Sequence, residues 1–524
     1  MIRSWKILLL LACIVLIVYG NALPNGFISD DLAIPKNLPG TTLASIIASP
    51  HIITRSLLYF FIYKIAGLSP AAFRISNVFI HIVNVWLVYG LLTLLTKRNI
   101  AAIAALLFAI HPIMVESVTW ISGGVSPQYT LFILLTLYCY IAAAKQNEKS
   151  LYILSLFFGL LSLVSADKAI ILPLILALYE ISFGNILRFW KRLLPFFLVA
   201  FGFIALYWSW IGTRLTGLQT TFYQSATAVR NPLLYIPEAL AQYMELFVWP
   251  VNLSLYHPDQ QLTMATLITN SAIALAYLCI TIIAFFRWRA LFFFLTFFLL
   301  SISPTLLPIQ VTWTVAERYA YLGMVGLTGA AAYLFTQLKL PHRAIYVSVA
   351  LIVLLLSTRT ILRNRDWHDE ISFWSATAKT APNLPNVHSN LAVALGQKGD
   401  YQGAIKEFQT TIALKPDWVD PYYNLSLTYQ RAGKLSDAIS WYQKTLQLNP
   451  TLWQPYRNLA EIAFGEKKYD EAIAYLQKAI DNNPTNANLF VNLAIVYRAK
   501  GDKKGAESAI NRAQTIDPTN SAAN

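Results

Sequence analysis

The chain of 524 residues is 56% hydrophobic and only 13% charged, with a formal net charge of +14, and so apolar a composition excludes a purely soluble protein. Residues 383–524 hold 15 Lys and Arg against 13 Asp and Glu, leaving 25 against 13 in residues 1–382. Most of that positive excess lies in short loops between apolar runs, which points to membrane orientation and away from a nucleic-acid interface.

The chain opens "MIRSWKILLLLACIVLIVYGNALP", a positive flank followed by an apolar stretch of about signal-peptide length. No small-x-small cleavage site is evident and further spans follow, so an uncleaved first span is preferred over a removed leader. Apolar runs suited to membrane helices then recur, and predict eleven spans at 6–23, 73–95, 100–115, 128–144, 150–166, 168–183, 193–211, 270–286, 290–307, 318–337 and 343–360. With the N-terminus in the cytoplasm, the cytoplasmic turns contain Lys97–Arg98, Lys145–Lys149, Arg188–Lys191–Arg192, Arg287–Arg289 and Lys339–His342–Arg343, and each is basic. The segment 233–250 is apolar but carries Glu238, Glu245 and two prolines, and reads as an interfacial or re-entrant helix within one large outer loop, 212–269.

The tail repeats itself. Pro382, Pro416, Pro450, Pro484 and Pro518 stand at a period that matches the tetratricopeptide (TPR) unit of roughly 34 residues. Small residues (Ala404, Ala438, Ala472, Ala506) recur where paired helices must approach closely, and Gly399, Gly433 and Gly501 mark the turns. A half-repeat, "WHDEISFWSATAKTAP", precedes four full units. The reading is all-α: a polytopic membrane domain over 1–365 and a TPR α-solenoid over 366–524, placed outside the cytoplasm. Stacked helix pairs offer a concave surface for a polypeptide and need no chemistry of their own.

Chemistry-bearing side chains gather in the predicted outer loops. They are Asp30 and Asp31 in "NGFISDDLAI", Glu116 after His111–Pro112, Asp167–Lys168 in "SADKAI", and Glu317–Arg318 in "AERYAYLG". Positive-inside bias does not ask for Lys168, Arg55, Arg74 or Arg318 there. Each feature alone has a plain alternative. The acidic pair reads equally as a solvated loop or helix cap, each cation as a snorkelling side chain or an ion-pair partner, and His111 as a structural histidine beside a proline. Taken together, a carboxylate acting as general base on a hydroxyl and cations holding a phosphate leaving group account for both signs of charge. Gly123–Gly124 reads as a turn, since no strand or GxGxxG setting makes it a phosphate cradle. No Walker motif, nucleophile elbow or HExxH is present. The three cysteines form no metal or disulfide pattern.

Four stretches carry a resemblance: "DDLAIPKN", "FRISNVFIHIVNVWLVYGLL", "ALLFAIHPIMVESVTWISGG" and "VAERYAYLG", in that order and followed by TPR units. They resemble the transmembrane and TPR repeat-containing protein O-mannosyltransferase-like family of GT-C glycosyltransferases. "SADKAI" and "RSLL" depart from the family's pattern, keeping Lys168 and Arg55 but losing a proline after the latter. The resemblance implies inverting transfer of mannose or another hexose from a polyprenyl-phosphate donor to a protein Ser or Thr hydroxyl, without metal or other cofactor.

On that basis the expected site has Asp30 and Asp31 as catalytic acids, one of them the base. Arg318, Lys168 and Arg55 are expected on the donor phosphate, and His111, Glu116 and Glu317 around the pocket. The expected partners are a lipid-linked sugar in the membrane and a protein acceptor in the TPR groove, with no nucleic acid. A bacterial inner membrane is preferred over the endoplasmic reticulum. The rival readings are a non-enzymatic scaffold recruiting proteins through its repeats, and a transporter, whose ionisable residues belong near the membrane midplane rather than at span ends.

Overall fold

A computed structural model describes residues 4–48, 52–220, 231–257, 263–307, 314–338 and 341–518; the predicted cytoplasmic Lys339 lies outside them. Among the described residues every regular element is helical, and the chain divides into two compact units, Met1–Thr380 and Ala381–Asn524.

In the first unit each of the eleven predicted segments contains a helix. By length and composition, six are able to cross a membrane: Trp5–Ala22, Pro70–Leu95, Ser122–Gln146, Ile186–Leu206, Met264–Arg287 and Arg343–Asp366. A seventh arises if Arg98–Ile110 and Pro112–Val118, bent by 53°, are one span, and Lys149–Leu163 and Arg289–Thr305 are shorter apolar helices.

The predicted spans at 168–183 and 318–337 hold helices of only 11 and 14 residues, Leu172–Ser182 and Met324–Gln337. At about 1.5 Å per residue these fall short of a hydrocarbon core of about 30 Å. The missing turns are the 3-10 segments Asp167–Ile171 and Glu317–Tyr319, in which charged residues replace the apolar run. The ambiguous 233–250 segment is the helix Pro232–Val248, opened by the Asn231 side chain accepting from the Leu233 N–H.

Local chemistry sets the breaks. Pro112 has no N–H to continue the preceding helix, and His111 caps the next turn by accepting from the Ile113 N–H at 3.3 Å. Met324–Gln337 packs tightly on Arg289–Ile302 at two glycines. A Cβ at Gly326 would stand 2.4 Å from the Phe294 carbonyl oxygen, and one at Gly329 2.6 Å from the Phe294 ring. Buried His81 donates from Nε2 to the Ala109 carbonyl at 3.2 Å and accepts at Nδ1 from the Tyr321 hydroxyl at 2.7 Å; Asn84 reaches the same hydroxyl at 3.2 Å.

The half-repeat helix Glu370–Thr380 falls in the first unit, so the compact units part at 380/381, whereas the sequence reading placed the division at 365/366. Its contacts explain this. Trp367 is fully buried against Trp120 and Phe373, the Gly26 N–H donates to the His368 carbonyl at 3.1 Å, and Thr380 Oγ1 donates to Ser254 Oγ at 2.8 Å.

The second unit holds four helix pairs: Pro385–Gln397 with Tyr401–Leu414, Val419–Arg431 with Leu435–Leu448, Trp453–Gly465 with Tyr469–Asn482, and Ala487–Lys500 with Lys503–Ile516. Ala404, Ala438, Ala472 and Ala506 are all buried at the helix contacts, as the period predicts. Gly399, Gly433 and Gly501 adopt positive φ between paired helices, and Lys467 takes the same left-handed position, φ +61°, in the third pair.

Candidate active site

The loop after the first helix is fixed by buried polar groups from several sides. Arg74, fully buried near the start of Pro70–Leu95, donates to the Asn25 carbonyl at 2.6 Å, the Gly26 carbonyl at 2.9 Å and the Thr119 carbonyl at 2.7 Å. Asn25 donates to the Asn364 carbonyl at 3.1 Å, and Asn364 accepts from Thr119 Oγ1 at 2.7 Å. Arg74, which the sequence left without a reason, therefore serves as a backbone clamp.

Beyond the clamp the chain makes a short 3-10 turn, Ser29–Leu32, and the acidic pair separates. Asp30 is exposed, while Asp31 is fully buried and accepts the Ser122 N–H on Oδ1 at 2.7 Å. Its Oδ2 has no hydrogen-bond partner among the described residues. Burial pushes the Asp31 carboxyl up to about 6, against the lowering influence of the Ser122 hydrogen bonds and the Arg74 guanidinium.

The segment 116–124 forms the facing wall. Trp120 Nε1 donates to the Ile28 carbonyl at 3.3 Å, and the Ile121 carbonyl accepts from the buried Tyr59 hydroxyl at 2.6 Å. Arg55, one turn before Tyr59, lies 5.2 Å from that ring's centre. Neighbouring Thr54 donates to Ser165 Oγ at 2.8 Å, which ties this helix to the loop carrying Lys168.

Glu116 is fully buried. Its Oε2 accepts the Arg318 N–H at 2.8 Å, and its Oε1 pairs with the Arg318 guanidinium, whose side chain keeps 19% exposure. Lys168 Nζ stands 3.4 Å from the centre of the Tyr319 ring, and the Arg318 guanidinium carbon stands 4.9 Å from the same centre. Two of the three expected phosphate cations thus share one aromatic ring, and the third is joined to their neighbourhood through Thr54 and Ser165.

The remaining expected residues sit deeper. His111 is buried and stacked on Phe247, with Nε2 donating to the Phe247 carbonyl at 3.0 Å and Nδ1 accepting from Ile113, so both ring nitrogens are engaged. Glu317 is fully buried; its Oε1 accepts the Ser254 N–H at 2.5 Å and lies 3.4 Å from Arg363 and 3.5 Å from His257. Chemically, the cluster offers one solvent-facing carboxylate on a fixed loop and cations mounted on aromatic rings. Sequence reasoning missed Tyr59, Ser122 and Tyr319 as the parts that mount these groups. Only Tyr319 had a visible signal, its place directly after Arg318.

Residues 43–210 match the family described as Dolichyl-phosphate-mannose-protein mannosyltransferase, and residues 394–433, 419–452 and 463–524 match TPR families. A Caenorhabditis elegans relative named Protein O-mannosyl-transferase F38B6.6 is 24% identical over 373 residues, covering 67% of this chain and 51% of its own. Human Protein O-mannosyl-transferase TMTC3 is 23% identical over 464 residues, covering 77% and 51%, and human TMTC4 is 24% identical over 415 residues, covering 66% and 55%. The chain spans about half the length of the curated relatives it matches. On one chain, a match to the mannosyltransferase family over residues 43–210 is followed by matches to TPR families, and the chain is similar to relatives named protein O-mannosyl-transferase.

Proposed function

We propose that the chain is an integral-membrane glycosyltransferase that moves mannose or another hexose from a polyprenyl-phosphate donor to a protein Ser or Thr hydroxyl, with inversion, at the extracytoplasmic membrane face. The observation that carries this reading is the split acidic pair: Asp31 is anchored to Ser122 while its neighbour Asp30 remains exposed, and Lys168 and Arg318 are held on one aromatic ring, Tyr319.

Asp30 takes the proton of the acceptor hydroxyl as its oxygen attacks the sugar C1. The bond from C1 to the donor phosphate breaks, and its electron pair leaves on the polyprenyl phosphate. Lys168, Arg318 and Arg55 receive the charge that develops there. A single displacement inverts the configuration at C1. The reading needs no metal or other cofactor: the lipid-linked sugar is substrate, and the cations are the chain's own. Glu116 fixes Arg318, and Glu317 and His111 hold the surrounding walls. The TPR unit binds the acceptor polypeptide, and the bacterial inner membrane, with the repeats outside the cytoplasm, is the assigned location.

Mass spectrometry of O-linked hexose on exported proteins tests the reading, comparing wild-type cells, a strain lacking the gene, and that strain complemented with Asp30→Asn or Asp31→Asn. The expected result is that modified peptides vanish with the gene and that Asp30→Asn fails to restore them although the protein is inserted. Full restoration by Asp30→Asn together with failure of Asp31→Asn moves the base to Asp31. If loss of the gene changes no O-linked hexose, the transferase reading falls and a scaffold built on the repeats takes its place.

A further inference from the structure

The turn that presents the acidic pair begins at Ser29, whose φ is +55°. Among the described residues only Ser29, Asn147 and Lys467 combine a side chain with positive φ. Asn147 ends a helix and Lys467 stands where the other repeats have glycine, so both belong to ordinary turn positions. Ser29 lies directly before Asp30 and Asp31, and a left-handed serine persists only where its surroundings hold it.

The holder is Glu370. Its Oε1 accepts the Ser29 N–H, and its Oε2 accepts the Trp374 Nε1–H at 2.8 Å, so both oxygens are committed and the carboxylate is itself braced. Two residues earlier the His368 carbonyl takes the Gly26 N–H at 3.1 Å. Arg74 and Trp120 hold the intervening carbonyls of Asn25, Gly26 and Ile28. With those fixed before the turn and Asp31 held by Ser122 and the Ile28 carbonyl after it, the torsion at Ser29 shapes the turn that presents Asp30. Glu370 stands at the start of the half-repeat helix, 341 residues along the chain from Ser29.

We propose that Glu370 is a positioning residue for transfer: it locks Ser29 in the left-handed conformation that aims the Asp30 carboxylate at the acceptor hydroxyl. This rests on the transferase reading above. The Ser29 N–H needs an acceptor, not a negative charge, so the side-chain carbonyl of glutamine can take that hydrogen bond, while its NH2 group cannot accept the Trp374 Nε1–H and that brace is given up.

The test uses the full chain in lipid nanodiscs, with undecaprenyl-phosphate mannose as donor and a Ser/Thr-rich peptide as acceptor. Glu370→Ala is expected to lower kcat by about 10- to 100-fold through misplacement of the base, with donor KM within about twofold of wild type. Glu370→Gln is expected to stay within about threefold of wild-type kcat. Hydrogen exchange at the Ser29–Asp31 amides is expected to accelerate in the alanine variant and not in the glutamine variant, while exchange in the TPR helices is unchanged. Wild-type kcat in Glu370→Ala, a loss that glutamine does not recover, or unaltered exchange at Ser29 each overturn the proposal. If the wild-type chain transfers no mannose, the transferase reading fails for this donor, and the exchange measurement still decides whether Glu370 locks the turn.

Discussion

The Lys168 ammonium stands 3.4 Å from the centre of the Tyr319 ring. Because the Arg318 guanidinium carbon lies 4.9 Å from the same centre, one aromatic face system orders two cations contributed by loops about 150 residues apart in the sequence. Replacing Tyr319 with Leu removes the π surface and frees both side chains. A cation–π contact of about 1–2 kcal/mol corresponds to a rise in donor KM of roughly 5- to 30-fold. Tyr319→Phe keeps the ring quadrupole and is expected within about twofold of wild type. Titrating donor with each variant checks this, and an equal loss in the Phe variant would assign the effect to the hydroxyl instead.

Asp31 makes the wild-type protein less stable at neutral pH than it would be without the buried charge. Its folded-state pKa, about 6, lies above the unfolded value of about 3.9, so the folded form holds the proton more tightly. The stabilisation is therefore present below about pH 4 and is lost as pH rises through 6, a difference of about 3 kcal/mol. Asp31→Asn keeps an oxygen for the Ser122 N–H and removes the charge. Thermal unfolding in detergent is expected to show the Asn variant more stable than wild type at pH 7.5, with the gap closing towards pH 4. A variant less stable than wild type throughout that range would contradict the burial argument.

Gly123 is required by close approach, not by backbone torsion. A Cβ there would stand 2.1 Å from the Glu116 carbonyl oxygen, a backbone atom that cannot swing aside. Gly123→Ala must displace Glu116 and hence its pairing with Arg318, at a cost of about 3 kcal/mol. At Gly124 the obstacle is the Asn77 side chain, with Oδ1 at 2.1 Å, itself held by the Trp120 carbonyl at 3.2 Å. Size-exclusion and thermal-shift measurements should find Gly123→Ala poorly folded. Wild-type stability in that variant would mean the 116–123 contact is looser than described.

Lys467 offers a stabilising substitution. It occupies φ +61° where Gly399, Gly433 and Gly501 occupy the equivalent turns of the other repeats. Relieving a left-handed side chain is expected to gain about 1 kcal/mol in Lys467→Gly, partly offset by the greater freedom of glycine when unfolded. Hydrogen exchange in Trp453–Gly465 and Tyr469–Asn482 should slow by up to about fivefold. Faster exchange would show that the lysine side chain contributes packing that outweighs its torsion.

Local pattern alone determined the helical elements and the repeat. Membrane helices are written as apolar runs, and the solenoid as a period at which Ala404, Ala438, Ala472 and Ala506 recur, because each repeat must bury the same small residue against its own partner helix. The charged residues proposed to bear the chemistry were visible too, since Asp30, Lys168 and Arg318 interrupt apolar sequence. Tertiary structure decided which groups such residues meet. Asp31 meets Ser122 at a separation of 91 residues, Arg318 meets Glu116 at 202, and Ser29 meets Glu370 at 341. Hydrogen-bond and charge pairings at such separations leave no periodicity in the chain, and burial, which divides two adjacent aspartates into one anchored and one exposed, is a property of the packed helices around them.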